Sequence, residues 1–196
     1  MAISAEVVKA LRDKTGLGMM KCKEALVASD GDQEKAIEYL RKQGLKTADK
    51  KAGRATQQGA IGSYIHANGK IGVLVELACE TDFVAKSDDF QALLKDLCMQ
   101  VAATSPLAVT PDGIPQQVKD KEREIYAEQM KDKPARVLDK IIEGKLKAFY
   151  QERCLLHQPF VKEPERTVEE VIKAAIAKLG ENIAVKRFCR MQLGEV

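Results

Sequence analysis

Tryptophan is absent from this 196-residue chain, and the aromatics number nine, five Phe and four Tyr. A core must therefore come from Val, Ile, Leu, Ala and Met, and an aromatic set among charged residues stands out. Histidine is scarce as well: His66 and His157 lie in no H-E-x-x-H, triad or metal-spaced arrangement, so neither catalytic nor metal-binding residues are expected. The cysteines (Cys22, Cys79, Cys98, Cys154 and Cys189) are odd in number, far apart and without a C-x-x-C, which argues against a disulfide framework or structural zinc. Charge of one sign is lacking, because 32 Lys and Arg against 29 Asp and Glu leave +3; an acidic tail and a strongly basic nucleic-acid binder are excluded. No long apolar run opens the chain, where Glu6, Lys9, Arg12, Asp13, Lys14, Lys21, Lys23 and Glu24 intervene, so no signal peptide or membrane contact is expected and the setting reads as cytoplasmic and reducing. A G-x-x-x-x-G-K-[ST] loop is missing too, so no bound nucleotide is expected.

What is present is arranged in stretches. Residues 1–55 carry +4, 56–114 carry −4, 115–165 carry +1 and 166–196 carry +2, and all six prolines lie after residue 105. In the first stretch Ser4 caps a helix with Val7, Val8 and Leu11 that ends at Thr15-Gly16. A second helix starts near Gly18 with Met19, Met20, Ala25 and Leu26; Gly31 stops it and Asp32 caps a third, which buries Ala36, Ile37 and Leu40 and is expected to end at Gly44. Leu11 and one of the two methionines are expected in the core of this small three-helix module. Lys46 to Arg54 then reads as a solvated basic connector.

A β-hairpin follows. Ile61, Ser63 and Ile65 alternate toward Asn68-Gly69, the pair favoured in two-residue turns, and Ile71, Val73, Val75, Leu77 and Cys79 alternate after it. Ser87 caps a helix with Phe90, Leu93, Leu94, Leu97, Cys98 and Val101 on one face. Residues 115–153 are charge-rich with sparse apolar positions, and predict a protruding antiparallel helical hairpin turning at Lys133-Pro134, its seam formed by Ile141, Leu146 and Phe149. Thr167 to Glu170 is a capping box opening a helix closed by Gly180. A terminal strand then places Ile183, Val185, Cys189, Met191 and Leu193 on one face, and Ala184, Lys186, Phe188 and Arg190 on the other. The fold class is α+β, with a three-stranded antiparallel sheet packed with helices. The expected divisions are 1–55, 56–114, 115–165 and 166–196. Because Tyr64, Leu74, Ala78 and Phe188 fall on the second sheet face, a symmetric homodimer through the sheet is expected.

One segment lacks a structural explanation at this level. In Glu80-Thr81-Asp82-Phe83-Val84-Ala85-Lys86, Thr81 can cap a single helical turn too short to bury every side chain, so Phe83 either packs back or protrudes as an anchor. This T-D-F-V-A-K run, together with Leu11-Arg12-Asp13-Lys14-Thr15-Gly16-Leu17-Gly18-Met19-Met20 and Gln158-Pro159-Phe160-Val161, resembles in content and order the signatures of the bacterial translation elongation factor Ts family, in its short form with one core subdomain.

The resemblance implies a ubiquitin-associated-like N-terminal module, a coiled-coil excursion and a guanine nucleotide exchange factor, not an enzyme, whose partner is the GTPase elongation factor Tu. By the same resemblance Thr81, Asp82, Phe83 and Val84 contact the GTPase domain, Phe83 wedging between helices behind its Mg²⁺ and phosphates. Leu11, Arg12, Thr15, Gly16, Gly18, Met19 and Met20 would dock a second side. Lys21 departs from the acidic residue often found there in the family. No cofactor is implied for this chain. The competing class is a non-catalytic helical adaptor binding ubiquitin-like or nascent-chain ligands, and a third reading is an RNA binder using Lys46 to Arg54.

Overall fold

The structure is a computed structural model that describes residues 3–131 and 134–195. Lys133, expected at the helical turn, lies outside the described residues. The fold is α+β, with eight α-helices among the described residues and a three-stranded antiparallel sheet in the order β1 (Gln58–Ile65), β2 (Ile71–Cys79), β5 (Ile183–Gln192). The chain divides into two compact units. The first comprises Met1–Ala60, Leu77–Leu94 and Glu170–Ala184; the second comprises Ile61–Glu76, Lys95–Glu169 and Val185–Val196.

In the first unit the expected caps form. Ser4 accepts the Val7 N–H at the start of α1 (Ala5–Thr15), and the Gly16 N–H closes it on Arg12 O at 2.7 Å. Helix α2 (Met19–Ala28) follows Gly18, and the Asp32 carboxylate accepts the Lys35 N–H at 3.0 Å to open α3 (Gln33–Lys51). Val8, Leu11, Cys22, Ala25, Leu26, Ala36 and Leu40 make one buried cluster. Each fully buried leucine in it contributes about 1.5–3 kcal/mol by leaving water. Met19 and Met20 are both exposed, at 41% and 68%, so neither is core, and Ile37 faces solvent as well. The space expected for a methionine is filled by Cys22, one turn further along the same helix face.

Helix α3 does not end at Gly44. The stretch after it contains strong helix formers and no proline, and Ala48 is buried. Gly44 meets a packing need instead: an added Cβ would lie 3.2 Å from the Cβ of Ala177 in α8 (Val168–Leu179). The connector read over Lys46 to Arg54 is therefore helical to Lys51 and tied down, with Asp49 paired to Lys173 at 2.9 Å and the Lys51 ammonium donating to Gly180 O.

In the second unit the hairpin turn is longer than a two-residue loop. Gly69, at φ 67°, donates to His66 O at 2.7 Å, whereas Asn68 keeps a negative φ and uses its side-chain oxygen to accept the Lys70 N–H at 3.0 Å. The sheet faces are also not as the alternation suggested. Ile61, Ile65, Leu74, Met191 and Leu193 are each more than half exposed, and Cys189 is exposed with them. Tyr64 and Phe188, placed by alternation beside Leu74, are half-buried. Two contacts explain the assignment. Arg187 pairs with Glu76 at 2.7 Å, aligning the odd positions of β5 with the even positions of β2, and Arg190 reaches Ala102 O of α5 (Asp88–Thr104) at 3.5 Å on the covered side.

Helices α6 (Gln116–Gln129) and α7 (Ala135–Arg153) pack together, and the Lys145 ammonium lies 5.5 Å from the centre of the Tyr126 ring. The buried stripe is Ile142, Leu146 and Phe149, with Ile141 half-buried at its edge, one position from the expected seam. Phe149 joins Ala108, Ile114 and Cys154 in a second cluster.

Just past His157, β3 (Pro159–Phe160) and β4 (Glu163–Thr167) form a short ladder. Fully buried Gln100 holds it: its amide donates to Pro159 O at 3.1 Å and its oxygen accepts the Val161 N–H at 2.8 Å. Gln158, also buried, accepts from Thr104 Oγ1 at 2.7 Å and donates to Glu152 O at 2.7 Å. The Gln158 to Val161 signature is thus accounted for by buried polar groups that must be satisfied where they sit.

Candidate functional site

Strand β2 ends in a tight corner that presents one aromatic ring. Cys79 donates its thiol to Thr81 O at 3.1 Å, and burial raises its pKa with the Glu181 charge adding to the effect. The thiol stays protonated and serves as a donor. Thr81 then caps the four-residue helix α4 (Asp82–Ala85), its hydroxyl oxygen accepting the Val84 N–H at 3.4 Å. Asp82 sits in the first position and accepts from Lys86 at 2.7 Å; this bond and the ammonium charge hold its carboxyl below the usual range.

The carbonyls of α4 are tied in turn. Ser87 Oγ donates to Val84 O at 2.7 Å and Gln91 donates to Ala85 O at 2.7 Å. Ala85 is buried and Val84 half-buried, which leaves Phe83 as the side chain with nowhere to pack. It is 82% exposed. Of the two positions the sequence left open, Phe83 occupies the protruding one. An aromatic ring on a braced turn is the geometry of an anchor for a pocket in another molecule.

The residues singled out between 11 and 20 belong to the same unit, yet they do not act alike. Leu11 is fully buried and serves the module's core, while Arg12, Gly16, Gly18, Met19 and Met20 are exposed. Thr15 is half-buried; it donates to Leu11 O at 2.8 Å and its hydroxyl accepts the Leu17 N–H at 3.4 Å, which stiffens the link into α2. Lys21 donates to Ala177 O at 3.3 Å, near the C-terminus of α8, where a cation is favoured.

Sequence reasoning missed three polar residues that hold the corner. Glu181 accepts both the Thr81 N–H, at 2.9 Å, and the Thr81 hydroxyl, at 2.6 Å. Glu80 accepts the Asn182 N–H at 2.7 Å and lies 3.6 Å from Arg54. The Asn182 amide donates to Ala52 O and Arg54 O at 3.3 and 2.8 Å. A polar pair directly after a glycine helix stop was the available signal, but its partners lie about a hundred residues away in the chain for Glu181 and Glu80. Among the described residues no cluster of three His, Cys, Asp or Glu is arranged for a metal ion, and no helix is long and apolar enough to cross a membrane.

The family model described as elongation factor TS matches residues 5–195. The elongation factor Ts of Fervidobacterium nodosum is 59% identical over 197 residues, covering all of both chains. That of Thermosipho melanesiensis is 57% identical over 195 residues, covering 98% of this chain and 100% of its own, and that of Maridesulfovibrio salexigens is 53% identical over 197 residues, covering 100% and 96%. With the family model matching nearly the whole chain and relatives alike over their full length, the chain belongs to the elongation factor Ts family.

Proposed function

We propose that this chain is a guanine nucleotide exchange factor for elongation factor Tu in translation elongation, promoting GDP release without making or breaking a covalent bond. The observation that carries the reading is Phe83, exposed on a turn whose backbone is fixed from both ends. Thr81, Asp82, Phe83 and Val84 meet the GTPase domain, and the ring enters between two helices behind the partner's Mg²⁺ and phosphates. Mg²⁺ demands near-ideal octahedral coordination at about 2.0–2.1 Å, so a small displacement of that region weakens GDP binding. Arg12, Thr15, Gly16, Gly18, Met19 and Met20 dock a second side, with buried Leu11 supporting them from within.

Two contacts on one rigid partner allow binding energy to appear as strain. A coupling of about 1–3 kcal/mol changes nucleotide affinity about 5- to 150-fold, and GDP weakens binding of the factor equally. In this reading residues 1–55 form a ubiquitin-associated-like docking module and 56–114 present the wedge. Residues 115–165 form a protruding helical hairpin, 166–196 complete the core, and the site of action is the cytoplasm. The test is release of a fluorescent GDP analogue from elongation factor Tu with and without this chain; no acceleration would overturn the proposal.

The exposed sheet face supports a further element of the same reading, a symmetric homodimer. Ile61, Ile65, Leu74, Met191 and Leu193 are exposed apolar residues on the open face of one sheet, with Cys189 among them. Leu74→Asp is expected to shift the protein from dimer to monomer in sedimentation velocity at micromolar concentration. A wild-type monomer under those conditions would remove the dimer from the proposal.

A further inference from the structure

A four-residue helix cannot hold itself in water, because the first turn fixes several backbone angles for a single hydrogen bond. Helix α4 must therefore be kept in shape by its surroundings. Its C-terminal end is held by near neighbours in sequence, Ser87 and Gln91. Its N-terminal end hangs on Thr81, and both hydrogens that Thr81 can donate end on one carboxylate, that of Glu181. The Thr81 hydroxyl is then oriented with its oxygen toward the Val84 N–H, so the cap itself depends on the carboxylate. Phe83, being exposed, gains no packing that would help keep the turn in place.

Glu181 is itself fixed on both sides. Before it, Gly180 turns at φ 81°, donates to Ile176 O at 3.0 Å and accepts from Lys51. After it, Asn182 is bound through its N–H to Glu80 and through its amide to the backbone at the end of α3. We infer that Glu181 is a positioning residue for exchange, bracing the Phe83 turn through two charge-assisted hydrogen bonds to Thr81 so that the ring meets the partner already aimed. The inference rests on the reading of Phe83 as the wedge.

Without the carboxylate the chain still docks through its N-terminal module, but the turn must be ordered during insertion. The cost falls on the insertion step, so Glu181→Ala should lower the maximal rate of GDP release about tenfold while moving the half-saturating concentration less than about twofold. Glu181→Gln, which keeps one acceptor oxygen, should fall between the two. A residue that only supported the fold would reduce the folded fraction, leaving the plateau intact and moving the half-saturating concentration upward; that result overturns the inference.

The effect should also vanish when the wedge is gone. Phe83→Ala and Phe83→Ala/Glu181→Ala should show the same plateau, and an additional loss in the double variant would place Glu181 in some other role. Amide hydrogen exchange provides a reading that does not involve the partner. Residues 81–86 should exchange faster in Glu181→Ala, or in Glu181→Gln if the alanine variant is poorly folded, with the rest of the chain unchanged. Unchanged protection there overturns the inference. If instead Phe83→Ala matches the wild type in GDP release, the wedge reading fails on its own, and the exchange rates still decide whether Glu181 holds the turn.

Discussion

Phe83→Ala is expected to reduce the acceleration of GDP release from elongation factor Tu about 100-fold, in the range of a dominant aromatic hot spot. Stability should hardly change. The ring is 82% exposed, so its removal takes no apolar area out of the core and opens no cavity. Exposed substitutions of this kind stay within about 0.5 kcal/mol, which for a chain of this size is about 1–2 °C in thermal midpoint. The backbone of the turn should persist as well, since its bonds run through Thr81, Ser87 and Gln91 and not through the ring. Phe83→Leu keeps part of the apolar surface and should retain an intermediate rate. The measurement is stopped-flow release of a fluorescent GDP analogue alongside thermal melting. A large fall in midpoint would mean that the ring supports the fold, and an unchanged release rate would remove it from the partner contact.

The largest expected loss of stability comes from a residue with no side chain. Gly59 lies in β1 at φ 148°, a conformation that side chains rarely adopt, and an added Cβ would stand 2.2 Å from Leu77 O and 2.7 Å from Ala78 Cα. Both obstacles are backbone atoms of the neighbouring strand, so no rotamer change can relieve them. Gly59→Ala should therefore cost about 3–5 kcal/mol, combining backbone strain with displacement of a paired strand. At roughly 2–4 °C per kcal/mol for a chain of this size, the thermal midpoint should fall by about 10 °C or more. Gly144→Ala supplies the contrast: nothing lies within 4 Å of the added methyl in α7, and the helix should gain about 1 kcal/mol. Equal midpoints for the two variants would refute the steric account of Gly59.

Local chemistry was readable wherever one residue type at one position dictates a backbone shape. Ser4, Asp32, Thr81 and Ser87 each accept the N–H that their place before a helix implies. The three strands, too, announced themselves by alternation and appear in one antiparallel sheet. Features decided by pairing between distant segments were harder to read. Alternation sorts a strand into two sets of residues, but which set of β5 joins which set of β2 depends on register, and here the Arg187–Glu76 pair sides with Met191 and Leu74 on the open face. The ladder of β3 and β4 is too short for any periodicity, and it rests on Gln100, a polar residue buried in a helix that reads as apolar.

The candidate site divides along the same line. Thr81 as a cap and Phe83 as an aromatic out of place were visible in seven consecutive residues. Glu181 was not, since a polar residue after a glycine helix stop does not by itself call for a carboxylate and its partner Thr81 lies 100 residues away in the chain. The pair Met19 and Met20 was ambiguous for a different reason. Helical spacing alone gave each methionine a claim on the core, and the smaller Cys22 took the place.

The unbroken run of α3 from Gln33 to Lys51 places a constraint on insertions and deletions. Its 19 residues make a rod about 28 Å long at about 1.5 Å per residue, and each added or removed residue would turn everything beyond it by about 100°. Gly44 would lose its alignment with Ala177, and Lys51, Ala52 and Arg54 would no longer reach Gly180 and Asn182. The distance in sequence between the N-terminal module and the Lys51 to Arg54 stretch that holds Gly180 and Asn182 is thus set by helical phase, so α3 can vary by substitution far more readily than by length.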